Sequence, residues 1–182
     1  MKKPFILCGV ILIVLFFVSC KKLGKRKEFD LNYSEDITIP ANNTLLSLPF
    51  DIRSPETTTN AKAEYKNQGT SSKLVESVTL SKLTIKIKSP QSENFDFLNS
   101  IEIYISSANT PETLLASKNN IPETGLKELD LDVCPTNLKN FLQDDSFILR
   151  VKTVTDKTIY YDLTITTDEV LHVKARLRNI FK

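Results

Sequence analysis

Tryptophan is absent from this chain and glycine nearly so; Gly9, Gly24, Gly69 and Gly125 are all it has. No Gly-rich loop can be built from residues so far apart, which excludes the phosphate cradles of nucleotide-binding proteins. No Gly-x-Ser-x-Gly elbow is present. A single histidine, His172, and three cysteines, Cys8, Cys20 and Cys134, cannot supply the Cys/His set of a zinc centre. The ligand spacing of an EF-hand is missing too. Long hydrophobic runs are lacking except for one, Phe5 to Val18, and that run carries most of what the sequence says about address.

The run is preceded by Lys2 and Lys3 and followed by Ser19-Cys20. A positive start, an apolar stretch of 14 residues and a small residue before a cut make a signal peptide. A permanent span needs about 20 apolar residues, so the run is short for one. Phe17-Val18-Ser19-Cys20 resembles the lipobox of bacterial lipoproteins, with Phe17 where that family more often has leucine. The resemblance implies that Cys20 receives a diacylglycerol and that the chain is cut before it. The new amine is then acylated, with palmitate as the metabolic label. Residues 1–19 are thus expected to be removed, residues 20–28 to form a lipidated basic tether, and residues 29–182 to fold as a single domain. Two or three acyl chains on one cysteine anchor stably, because each buried CH₂ contributes about 0.8 kcal/mol. A plain secreted protein with an incidental Cys20 is the alternative.

Removing 19 residues from 182 leaves 163, enough for one domain with a sizeable core. Losing Lys2 and Lys3 leaves 22 basic against 22 acidic residues. The mature chain is therefore neutral, and nucleic acid is not an expected partner. Cys134 is left as its only thiol once Cys20 carries lipid, so no intramolecular disulfide is available and Cys134 reads as a small buried side chain. The tether, Lys-Lys-Leu-Gly-Lys-Arg-Lys over residues 21–27, is a solvated spacer or an attractor of anionic head groups. Lysines directly after the cysteine depart from the acidic residues common in surface-flipped lipoproteins of the Bacteroidota type. This implies a lipid-anchored address at the outer membrane, facing the periplasm.

From Phe29 onward the dominant period is two, the mark of half-buried strands. Alternation runs over residues 46–52, 83–88, 101–106, 129–133, 147–152 and 159–165. Pro49 cannot donate to a ladder, so its strand belongs at an edge or a bulge. Residues 170–178 fit both a strand and a helical face, and the Thr-rich lead-in favours the strand. Asp156-Lys157 between two alternating runs predicts a hairpin of residues 147–155 with 158–166. One helix is expected, Pro135 to Leu142, with proline in the first turn and Leu138, Phe141 and Leu142 on one face. Residues 54–72, rich in Thr, Asn, Lys and Ser, read as a long loop with a short strand near Tyr65. About nine antiparallel strands with one polar face predict an all-β, two-sheet sandwich, immunoglobulin-like or jelly-roll-like. Alternation argues against a parallel sheet, whose strands are apolar on both faces.

Candidate chemistry is sparse. His172 falls on a polar strand face and reads as a surface imidazole. Asp130 with Asp132, and Asp144 with Asp145, offer oxygens that calcium accepts, but a solvated acidic face is the better reading. Tyr104 and Tyr160 occupy outward positions, as do Lys86, Arg150, Lys152, Lys174 and Arg176. Together they form a candidate binding surface for a glycan or an anionic ligand. The lack of tryptophan weighs against the glycan, and an ordinary solvated face is the alternative. No metal or cofactor is expected. The chain reads as a monomeric, non-enzymatic cell-envelope lipoprotein with a binding or structural role toward an envelope protein or glycan. The alternative is a surface adhesin or pilus-type subunit that assembles by strand addition.

Overall fold

The computed structural model describes residues 25–41 and 50–177. The expected signal segment, Cys20 and most of the tether lie outside these residues, as do Leu46, Leu48 and Pro49. The fold is an all-β, antiparallel two-sheet sandwich with one short α-helix.

One sheet has four strands in the order β1 (Arg26–Ile39), β10 (Leu163–Arg176), β4 (Val75–Ser89), β7 (Glu128–Asp130). The other runs β2 (Phe50–Arg53), β9 (Ser146–Thr155), β5 (Leu98–Ser107), β6 (Thr110–Lys118), β8 (Asp132–Val133), and β3 (Thr57–Thr58) also pairs with β9. The long strands alternate between buried and more exposed positions over most of their length. In β9, for example, Phe147, Leu149 and Val151 are 0–3% exposed, while Ile148, Arg150 and Lys152 are only partly covered. The described residues form ten strands, against about nine expected, and β1 begins at Arg26, three residues inside the expected tether. β2 does lie at a sheet edge. The ambiguous last segment is strand through Arg176.

Three expectations fail, each for a local reason. β9 and β10 form no hairpin, because they belong to different sheets and residues 156–162 cross between them. Alternation tells which face of a strand is buried, not which strand lies beside it. Likewise residues 129–133 are not one strand. Leu129 sits in the four-stranded sheet, buried Leu131 donates its N–H to Leu83 O between the two strands, and β8 joins the six-stranded sheet, leaving Val133 exposed at 38%.

The helix is also elsewhere. Residues 135–140 hook the free side of β4: Leu138 N–H donates to Val78 O, and the Asn137 side chain accepts from the amides of Val78 and Lys139. Local Asn bonding of this kind competes with helix, and only a 3₁₀ turn at Phe141–Gln143 remains. The α-helix, α1 (Ala61–Asn67), lies within the expected loop, and Tyr65 is in it instead of in a strand. Its buried face is two residues, Ala61 and Tyr65, too few to stand out as a periodic pattern. It stops at a paired C-cap. Gly69 has φ +75°, its N–H reaches Lys66 O, and Thr70 N–H reaches Tyr65 O.

Register gives the sandwich two distinct ends. Arg26 pairs with Arg176 and Val75 with Ala175 at one end; Ile39 pairs with Leu163 and Ser89 lies opposite Thr164 at the other. α1 closes the first end, where the Thr70 hydroxyl donates to Arg176 O at 2.6 Å and Tyr65 stands edge-on to Phe29. The crossover 156–162 and the loop between β4 and β5 lie at the second end. A strand of 14 residues separates the ends, about 40 Å.

Candidate functional site

The seven residues of the expected surface fall into three places. Tyr104, Arg150 and Lys152 meet on the outer face of the six-stranded sheet. The Arg150 guanidinium lies 4.3 Å over the Tyr104 ring. It also grips Glu112 with two bonds of 2.8 and 2.7 Å and Asp51 with one of 2.5 Å. Tyr104 donates to Glu102 at 2.9 Å and Lys152 to the same carboxylate at 3.1 Å. These bonds hold the Glu102 and Glu112 carboxyls below the usual range, through Tyr104 and Lys152 for the first and Arg150 for the second. An anionic ligand would have to displace carboxylates already in place.

Lys86, Lys174 and Arg176 lie on the outer face of the other sheet, away from that cluster. Lys86 meets Asp168 at 3.1 Å and Glu128 at 3.7 Å, Lys174 meets Glu28 at 3.5 Å, and Arg176 meets Glu76 at 3.0 Å. His172 stands 2.9 Å from Asp30 and 3.3 Å from Glu28, a surface imidazole between acids. The acidic positions are likewise engaged. Asp130 faces Lys82 and Thr84, Asp132 faces Lys118, Asp144 accepts from Ser107 and Asn109, and Asp145 faces Lys62. Among the described residues no three His, Cys, Asp or Glu side chains converge as metal ligands. Cys134 is half-exposed, not buried, and unpaired with any described cysteine.

Tyr160 is in the third place, the crossover at the end away from α1. Ile159 turns inward at 6% exposure, and Tyr160 and Tyr161 both stand out at 73% and 66%. The expected alternation put Tyr161 inward; the strand starts only at Leu163, so the pair is free to splay. Beside the tyrosines lies a cleft of about 460 Å³ lined by Glu93, Asn94, Asp96, Phe97, Asp156, Lys157, Thr158 and Tyr160. A narrow apolar slot continues from it past Phe97 and Ile159 to Tyr161 and Leu163. The loop is braced by Asp156 N–H to Phe97 O at 3.1 Å, and Asp96 accepts from Gly125 N–H at 2.8 Å. Lys157 is paired with Glu123, which with Asp96 and Asp156 nearby raises its pKa.

One further group escaped the sequence reading. Glu169, on the inner face of β10, is 3% exposed, and neither carboxylate oxygen has a hydrogen-bond partner. It lies between Tyr33 on β1 and Leu83 on β4. Burial pushes its pKa up to about 8, with help from the negative charge of Glu35 and Asp168 and against the pull of Thr167. The signal was an acid at an inward position of the period-two run, visible once Leu163 and Ile165 are extended to residue 169. For the cleft the signal was Tyr-Tyr bracketed by Asp156 and Asp162, a polar break inside an alternating run.

No protein-family model matches this chain, and no curated protein matches it. Solved structures similar to it include the decameric BFDV capsid protein, at 7% identity and a TM-score of 0.39, covering 84% of this chain and all of that one. A turnip yellow mosaic virus structure follows at 11% and 0.31, covering 85% of this chain and 84% of its own. Desmodium yellow mottle tymovirus stands at 10% and 0.26, with 86% and 93% covered. Likenesses this weak carry no argument about function.

Proposed function

We propose that the mature protein is a non-enzymatic binding module of the bacterial cell envelope, held on the outer membrane by lipid on Cys20. The observation that carries this reading is the polarity of the sandwich. β1 begins at Arg26, six residues after Cys20, so at most about 20 Å of extended chain joins the lipid to the α1-capped end. The open cleft with its exposed tyrosines is at the other end. A domain tethered at one end and open at the other is arranged to present a surface away from the membrane. Among the described residues no helix is long and apolar enough to cross a membrane.

Palmitate labelling with detergent phase partition tests the anchor. The wild type is expected to be labelled and Cys20→Ser unlabelled and released. A labelled, membrane-bound Cys20→Ser protein overturns the reading.

Strand addition is the second reading, and one observation favours it. β1 is an edge strand of 14 residues whose outer side has no partner among the described strands. Against it, the partly covered positions of β1 include Lys27 and Glu35, charges of the kind that discourage edge pairing. Protease shaving of intact cells separates the two: a surface-assembled subunit is cut, and a periplasm-facing module is protected.

A further inference from the structure

We infer that the cleft beside Tyr160 and Tyr161 binds a basic peptide segment, seating an arginine or lysine side chain against the tyrosine rings. This rests on the reading of the protein as a binding module and names the partner's chemistry. Three observations lead to it. First, two tyrosines with most of their surface in water flank a slot floored by buried Phe97, Ile159 and Leu163. A long cationic side chain has the matching form, an aliphatic stem for the slot and a charged head for a ring face. Second, the charge around the cleft is one-sided. Glu93, Asp96 and Asp156 line it against Lys157, the single cation among its described lining residues and itself paired with Glu123, in a mature chain that is neutral as a whole. Third, the molecule uses the same chemistry internally. Arg150 lies over Tyr104 with carboxylates at its edges, and Lys157 already sits beside Tyr160 among acids.

The arrangement also disfavours the ligands first expected from the sequence. An anion would meet three lining carboxylates, and a neutral sugar could donate hydrogen bonds to them but would bring no charge to match theirs. Arginine is the better occupant of the two cations, because its planar head stacks on an aromatic face while its edges donate to carboxylates.

The test titrates the full mature lipoprotein, held in a polyoxyethylene detergent, with an acetylated and amidated tetra-arginine peptide. The neutral isostere tetra-citrulline and a chitin oligosaccharide run in parallel. Calorimetry is expected to show binding of tetra-arginine at least tenfold tighter than of tetra-citrulline, weakening as salt rises. Replacing both exposed rings, Tyr160→Ala with Tyr161→Ala, is expected to weaken it at least tenfold, and Glu93→Gln with Asp156→Asn severalfold, with melting temperatures unchanged. No binding of tetra-arginine overturns the assignment. So does equal binding of tetra-citrulline, a preference for the oligosaccharide, or affinity unaltered by loss of the tyrosines. Because lipidation is read separately by palmitate labelling, failure of the anchor and failure of the cleft are told apart.

Discussion

The two inner faces of the sandwich are built from the same alternation but to different standards. Along the six-stranded sheet, Ile101, Ile103 and Ile105 on β5 and Leu149 and Val151 on β9 are 0–3% exposed, and the polar side chains buried beside them on β9, Thr153 and Thr155, are neutral hydroxyls. Along the facing sheet, β10 carries Leu163 and Ile165, then Thr167 and Glu169, then Leu171, Val173 and Ala175, all buried. Among the described residues the first face buries no ionisable group. The second has a carboxyl group in its middle, with no hydrogen-bond partner and with Glu35 nearby. A charge in such a place costs several kcal/mol, so the group stays neutral over most of the physiological range. The difference makes one inner face indifferent to pH and the other dependent on it.

The largest effect expected from that contrast is in the pH profile. Unfolded, Glu169 ionises in the ordinary carboxylate range near 4.5; folded, it holds its proton to about 8. Below 4.5 both states are protonated and nothing is lost. Between 4.5 and 8 the unfolded state sheds a proton that the folded state keeps, so stability falls as pH rises, and it levels off above 8. The total loss is on the order of 5 kcal/mol. Urea melts from pH 5 to 9 are expected to show this slope in the wild type and to lose it in Glu169→Gln. An identical slope in both proteins would remove the contrast between the sheets.

On the apolar side, Ile103→Ala takes methylene groups from a fully buried site in the middle of β5 and leaves a cavity. A loss of about 2–5 kcal/mol is expected at any pH in the same range. Its neighbour Glu102, on the outer face, bonds Tyr104 and Lys152 in a partly exposed network. Glu102→Ala is expected to cost less than about 1 kcal/mol. Equal costs at 102 and 103 would mean that the two faces of β5 are not distinguished in energy as they are in burial.

The same contrast explains what could be read from the sequence. Strands with an unbroken apolar column, such as residues 101–105 and 147–151, were legible with their correct inward face. β10 was legible in two pieces only, because Thr167 and Glu169 interrupt the column that joins them. Sheet membership was not legible at all: residues 147–155 and 158–166 alternate alike whether paired in one sheet or facing each other across two. The short α1 stayed hidden because it buries only Ala61 and Tyr65. The site was legible to the extent of one residue, Tyr160. Arg150 and Lys152 were correctly placed outward, but nothing local reveals that Glu112, Asp51 and Glu102 already hold them. Glu93 and Phe97 reach the cleft from a loop more than sixty residues away in the chain.

Both sheets run lengthwise between the α1-capped end and the cleft, so the account stands on which end faces the membrane. A nitroxide placed at position 28 or at position 160, each in a Cys134→Ser background, reads this in lipidated protein on vesicles with a nickel chelate on the lipid head groups. Strong relaxation is predicted for the label at 28 and little for the label at 160, some 40 Å farther along the sandwich. Equal relaxation at the two positions, or stronger relaxation at 160, would contradict a module that is tethered at one end and presents its cleft from the other.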